Sequence, residues 1–126
     1  VAVARGGLVP AAVVARELDL RVIETCCVVA YDAADRPSDK VRLVKPPIAA
    51  EDGAGWLVID DLVDTGRTAE AVRATLPRAH FGTVYAKPAG RALVDSFVTL
   101  VAQETWILFP WDMDLRFVPP IAAVEP

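Results

Sequence analysis

Three aspartates fall within five residues in Asp60-Asp61-Leu62-Val63-Asp64, and Thr65-Gly66-Arg67-Thr68 follows directly. Adjacent carboxylates repel unless something shares them, and a hydroxyl-rich sugar carrying Mg2+ would do so: carboxylates accept from hydroxyls and bind hard cations. The Asp64–Thr68 stretch suits a different ligand group. Thr65 and Thr68 supply hydroxyl donors, Gly66 allows a close backbone approach, and a helix reading begins at Ala69. The first N–H groups of a helix lack internal partners and its macrodipole favours negative charge, so the loop is suited to a phosphate.

The elements that would hold these residues follow from patterning. Trp56 to Ile59 is a short apolar run rich in strand formers, with the two aspartates at its end, and Ala69 to Leu76 reads as a helix. Val1 to Ala4 reads as a strand, Arg5-Gly6-Gly7 as its end, and Leu8 to Leu18 as a helix that tolerates Pro10 in its first turn. Arg-Gly-Gly at a strand-to-helix junction is a second anion-binding candidate, because the glycines expose N–H groups and a guanidinium forks onto phosphate oxygens. Arg21 to Ala30, Ala79 to Ala86, Ser96 to Val101 and Leu115 to Val118 read as further strands. Between Tyr31 and Gly55 charged residues, prolines and glycines break any period, with room for a brief strand at Val41 to Val44. A segment of that length in a compact domain reads as a lid or a disordered segment, and the lid reading fits a reaction that must exclude water. Strands alternating with helices predict an α/β fold with a mainly parallel sheet, its ligands at the carboxyl ends of the strands. Arg5, Asp60, Asp61, Asp64 and Lys87 all fall at such ends.

The 126 residues make one domain, large enough to bury a core without staples. The chain is 54% hydrophobic, with a mean hydropathy of +0.37, yet no apolar run approaches the roughly 20 residues of a spanning helix. A net charge of −4 argues against a general nucleic-acid surface. Cys26 and Cys27 are adjacent and would face opposite sides of a strand, which suits two reduced thiols. The opening Val1-Ala2-Val3-Ala4 reads as the inside of a strand without its lead-in. His80 reads as a surface or packing residue.

The order apolar strand, Asp-Asp, two apolar residues, Asp-Thr-Gly-x-Thr resembles the phosphoribosyl-diphosphate signature of type I phosphoribosyltransferases. The wider chain is similar to the bacterial xanthine–guanine phosphoribosyltransferase family. Arg5 to Pro10, Ala15 to Leu18, Ala86 to Arg91, Leu93 to Asp95, Thr105 to Ile107, Pro110 to Met113 and Phe117 to Pro120 carry that likeness. The resemblance implies the type I fold with a flexible lid over 32–55 and a purine-binding hood over 102–126. It implies purine salvage: transfer of the phosphoribosyl group of phosphoribosyl diphosphate to N9 of xanthine or guanine, and less well hypoxanthine, with Mg2+. A hypoxanthine-preferring relative and a non-catalytic sensor of phosphoribosyl diphosphate or nucleotide are the alternatives.

By matching position, the resemblance gives Arg5 and the Gly6 backbone to the pyrophosphate, and Asp60 and Asp61 to the ribose hydroxyls, with Asp61 also at the Mg2+; Arg36, within the lid, is a candidate to close on the pyrophosphate. Leu62, Val63 and the loop Asp64, Thr65, Gly66, Arg67 and Thr68 would surround the 5′-phosphate. Asp64 would also meet purine N7, Lys87 the exocyclic O6, Trp106 the ring face and the Ile107 backbone the substituent at C2. On residue type alone Lys87 is a solvated loop lysine, but its place after a strand and before Pro88-Ala89-Gly90 reverses that; Trp106 is a packing residue on type alone, and the resemblance selects it. The family further implies a homo-oligomer (dimer or tetramer), a cytoplasmic location and, as in some relatives, peripheral contact with the inner membrane face. A helix and a full strand ahead of Arg5 are expected from the family, and without them apolar surface would be exposed. Arg67 stands where close relatives often have Gly, and Leu108 where they often have an acidic residue.

Overall fold

The computed structural model describes residues 1–31 and 37–111. Their elements run β1 (Ala2–Ala4), α1 (Leu8–Glu17), β2 (Thr25–Tyr31), β3 (Pro37–Lys45), β4 (Leu57–Val63), α2 (Arg67–Thr75), β5 (His80–Ala86) and β6 (Ser96–Leu100). They form one six-stranded sheet in the order β3-β2-β1-β4-β5-β6. Every pairing is parallel except β2 with β3. The chain steps from β1 outward to β2, and later returns to lay β4 on the other side of β1. That reversal opens a crevice beyond the carboxyl ends of β1 and β4, where ligands gather in open α/β sheets.

Both loops singled out by their chemistry leave the sheet at this switch point. β1 is ended by Arg5-Gly6-Gly7 and β4 by Asp64-Thr65-Gly66. The core beneath them is built by Val3, Cys26, Val58, Val63, Val72, Leu76, Phe81 and Ala86, which join one buried cluster. Cys26 faces that core and burial pushes its thiol up to about 11, while Cys27 is partly exposed; both are free.

Several boundaries differ from the sequence expectation. β4 does not stop at Ile59 but runs on through Asp60 and Asp61 to Val63, because its ladder with β5 continues to the Val63–Ala86 pair. Aspartate is a poor strand former, and here the parallel neighbour overrides it. β2 starts at Thr25, leaving 21–24 without regular structure. The brief strand at 41–44 is instead the nine-residue β3, which hydrogen-bonds antiparallel to β2 at the sheet edge. A short 3-10 turn, Ile48–Ala50, also lies within the 32–55 segment. Arg36 and the strand expected at 115–118 lie outside the described residues.

Apolar side chains of Leu8, Val9, Val13, Leu18, Val22 and Ile23 stand exposed along α1 and the turn after it. Among the described residues, no helix is long and apolar enough to cross a membrane.

One polar cluster locks α2 to the far side of the sheet. The Arg73 guanidinium donates to Leu93 O at 3.1 Å, Ala79 O at 2.9 Å and Asp95 Oδ2 at 2.6 Å. Asp95 Oδ2 also accepts from the Phe81 backbone N–H at 2.6 Å. Partial burial works against the charged form of Asp95, but these donors outweigh it and hold the carboxyl below its ordinary value. A carboxyl lowered in the folded state adds stability at neutral pH that is lost as pH falls through the carboxylate range. Asp95→Asn is therefore expected to cost about 1 kcal/mol at pH 7, given the partial exposure of the pair. Denaturant titrations should show the gap to wild type closing below about pH 4.

Candidate active site

The phosphate-loop candidate is a real concavity. Asp60, Leu62, Val63, Asp64, Thr65, Gly66, Arg67, Thr68 and Ala69 line a pocket of about 90 Å3. A water molecule takes about 30 Å3 of liquid, so a phosphate-sized group is of the right scale. Gly66 caps α2 with φ +91°, a left-handed conformation that glycine adopts freely. A Cβ there would also stand 2.3 Å from Leu93 Cδ1. The turn points the first N–H groups of α2 toward the pocket mouth, where the helix dipole adds partial positive charge.

The two neighbouring aspartates are not equivalent: their Cβ atoms leave the strand on alternate sides, although their carboxyls still interact. Asp60 is 7% exposed and lies beside Thr83 of β5 in the ladder. Burial pushes its carboxyl well above the usual range and the charge on Asp61 pushes it further; the Asp61 N–H, donated to Asp60 Oδ1 at 3.0 Å, works the other way. Thr83 Oγ1 is buried without a hydrogen-bond partner. Asp61, partly exposed, meets the Arg5-Gly6-Gly7 turn: a Cβ on Gly6 would fall 2.3 Å from Asp61 Oδ2. A Cβ on Gly7 would fall 2.3 Å from Ile59 O and 2.7 Å from Val3 O. The two glycines thus let the turn after β1 lie directly on β4, joining the anion candidate to the carboxylate pair. Arg5 is exposed at that turn.

Beyond the pocket, three loops converge on Asp64. Lys87 Nζ donates to Asp64 Oδ2 at 3.1 Å, with the lysine side chain 7% exposed and the aspartate 48% exposed. Lys87 is therefore a buried cation aimed at the crevice, not a solvated loop residue. Its backbone N–H extends the β4–β5 ladder by donating to Val63 O at 2.9 Å. Gln103, which sequence reasoning missed, donates from Nε2 to Asp64 Oδ1 at 2.7 Å and accepts from Ala89 N–H at 2.9 Å. Gly90 packs against the same loop; a Cβ there would meet Val63 Cγ2 at 2.6 Å and Asp64 O at 2.7 Å. Trp106 lies just past Gln103 and is 73% exposed, while Ile107 is half-buried. Trp111 stacks on Phe109, with ring centroids 4.7 Å apart.

The structure therefore gathers Arg5, Gly6, Asp60, Asp61, the 62–68 stretch and Lys87 at one end of the sheet. Among the described residues no group of three or more His, Cys, Asp or Glu side chains stands ready to enclose a metal. The oxygen-only donors of Asp60 and Asp61 still fit Mg2+, which keeps its waters and takes one or two carboxylates together with substrate oxygens.

Gly6→Ala tests the contact between the two loops. The added methyl must displace the Asp61 carboxylate or lift the Arg5-Gly6-Gly7 turn, so activity should fall by at least about 10-fold. Thermal melting should change far less, since the clash is with a side chain rather than the core.

The whole arrangement has close parallels. Residues 1–117 match the phosphoribosyl transferase domain family. The chain is 54% identical over 125 residues to the xanthine-guanine phosphoribosyltransferase of Desulfotalea psychrophila, covering 99% of this chain and 76% of that protein. It is 57% identical over 121 residues to the protein of the same name from Nitratidesulfovibrio vulgaris, covering 96% of this chain and 72% of that one. Among solved structures, the purine phosphoribosyltransferase from Pyrococcus horikoshii superposes with a TM-score of 0.73 at 26% identity, over 94% of this chain and 79% of that one. With its sheet order, its two loops at the switch point and these likenesses, the chain belongs to the phosphoribosyltransferase family, among its xanthine-guanine members.

Proposed function

We propose that the protein is a purine salvage enzyme that transfers the phosphoribosyl group of phosphoribosyl diphosphate to N9 of xanthine or guanine, releasing pyrophosphate. The single observation that carries this reading is the buried Lys87 paired with Asp64 at the edge of a phosphate-sized pocket. A sensor of the sugar phosphate alone would have no use for a desolvated cation and carboxylate placed beyond the phosphate loop.

In this reading the 64–68 loop and the amino terminus of α2 hold the 5′-phosphate, and Asp60 and Asp61 hold the ribose hydroxyls. Arg5 and the Gly6 N–H take the pyrophosphate, and their contact with Asp61 sets the distance between leaving group and sugar. Asp61 is the carboxylate that would hold Mg2+, which would supply positive charge for the leaving pyrophosphate. As the bond to pyrophosphate breaks, the ribose carbon gains positive character, and the acidic pair lies on that side. The base approaches over Trp106, whose exposed face is free to stack, with the Ile107 backbone reading the C2 substituent. Asp64 accepts the proton at purine N7 while Lys87 stabilises negative charge on O6 as N9 attacks. The 102–126 hood and the 32–55 lid complete the reading. Val41 of β3 shares a groove with Arg67, Glu70 and Ala71, which brings the lid segment beside the phosphate loop. The exposed apolar side chains of α1 support assembly into a homo-oligomer.

Initial rates with xanthine, guanine, hypoxanthine and adenine test the reading together. The 6-oxopurines should be converted and adenine, which lacks O6, should not; no conversion of any base would leave a sensor instead. Lys87→Ala should lower kcat/KM for every 6-oxopurine by about 10²–10³-fold. Calorimetry should show its binding of phosphoribosyl diphosphate unchanged.

A further inference from the structure

We infer that Gln103 is a positioning residue that fixes the Asp64 carboxylate for the base, tying the purine-stacking segment to the phosphate loop. The inference rests on the function proposed above. Both ends of the Gln103 amide are committed in a way that leaves one orientation. Its oxygen faces the Ala89 N–H at 2.9 Å, which can only donate, and its nitrogen faces Asp64 Oδ1 at 2.7 Å. Asp64 Oδ2 takes the Lys87 ammonium at 3.1 Å. Each carboxylate oxygen therefore has its own donor, one neutral and one charged, on different loops. A carboxylate held by a single partner swings about that contact; two donors on its two oxygens fix the plane of the group.

The loops so joined are those that the reaction must keep in register. Asp64 opens the phosphate loop, Ala89 lies between Lys87 and Gly90, and Gln103 precedes Trp106 by three residues. Asp64 itself is about half exposed, so packing does not orient it and its hydrogen bonds must. The neutral amide is the fitting donor. A second cation would compete with Lys87, and an acid would repel the carboxylate it is meant to hold.

Two variants separate this role from plain loop anchoring. Gln103→Glu keeps an acceptor for the Ala89 N–H but replaces the donor to Asp64 with a like charge. Gln103→Met keeps the length and removes both hydrogen bonds. Positioning predicts that both lower kcat/KM for guanine on the order of 10- to 100-fold, the scale of a lost hydrogen bond to a charged group. KM for phosphoribosyl diphosphate and the melting temperature should stay near wild type. A readout free of turnover comes from calorimetry, in which both variants should bind GMP at least about 10-fold more weakly and ribose 5-phosphate unchanged. A Gln103→Glu protein with wild-type rates and GMP affinity would overturn the inference, as would equal loss of GMP and ribose 5-phosphate. Should the wild-type protein convert no base, the proposed function fails, while the contrast between the two ligands still decides the role of Gln103.

Discussion

Two carboxylates on successive residues of a central strand are the constraint around which the molecule is arranged. Because β4 stays extended through Asp60 and Asp61, one carboxylate is buried and its neighbour is partly exposed, with the two carboxyls still interacting. Burial, and after it the charge on Asp61, push the Asp60 carboxyl above its ordinary range, which is the cost of keeping an acid at this point of the strand. Nothing in packing rewards that choice. A Val or Ile at position 60 would suit the core better, which fits the ribose-binding role proposed for Asp60. The same extension gives Asp61 to the Arg5-Gly6-Gly7 turn, so that one strand serves both anion loops.

Close backbone approach is the second device, and it accounts for the glycines that sit at the crevice. Gly6 and Gly7 bring the first loop onto β4, and Gly90 brings the loop after β5 onto Val63 and Asp64. At each place a single methyl would collide with backbone or a functional carboxylate. These contacts keep three loops from three strands at a fixed spacing without a large core between them. Loops held this way behave as one rigid rim, which suits a site whose ligand groups must be a fixed distance apart.

Much of this was legible in the residues, for physical reasons that also explain the rest. Asp60 to Thr68 reads directly because a strand, a phosphate loop and a helix start each leave local signatures within one short stretch. Helix α1 was read to within one residue of its end, and β5 and β6 nearly as closely, since apolar patterning and turn residues bound them. The length of β4 was not legible: aspartates mark a strand end by propensity, and only the neighbouring strand carries the ladder past them. β3 was hidden too, because an edge strand with solvent on one side needs no clean apolar alternation. Lys87 is legible as a site residue from its place at a strand end, but its burial and its pairing with Asp64 are not, since the partner lies 23 residues away.

Gln103 shows most sharply where reading along a chain stops. Its partner Asp64 is 39 residues away, and a glutamine beside Ala102 and Glu104 carries no motif of its own. What gives it meaning is that the switch point collects the ends of separate strands, so residues of unrelated local context share one carboxylate. Charge explains why this matters. The phosphate loop must attract anions, yet its first residue is an aspartate that would repel them. Lys87 on one oxygen and the Gln103 amide on the other turn that carboxylate outward, toward where a base would lie, and blunt its repulsion of the phosphate. In the function proposed above, a negative group is thereby kept at the border between the phosphate pocket and the base, and hydrogen bonds rather than the backbone draw that border.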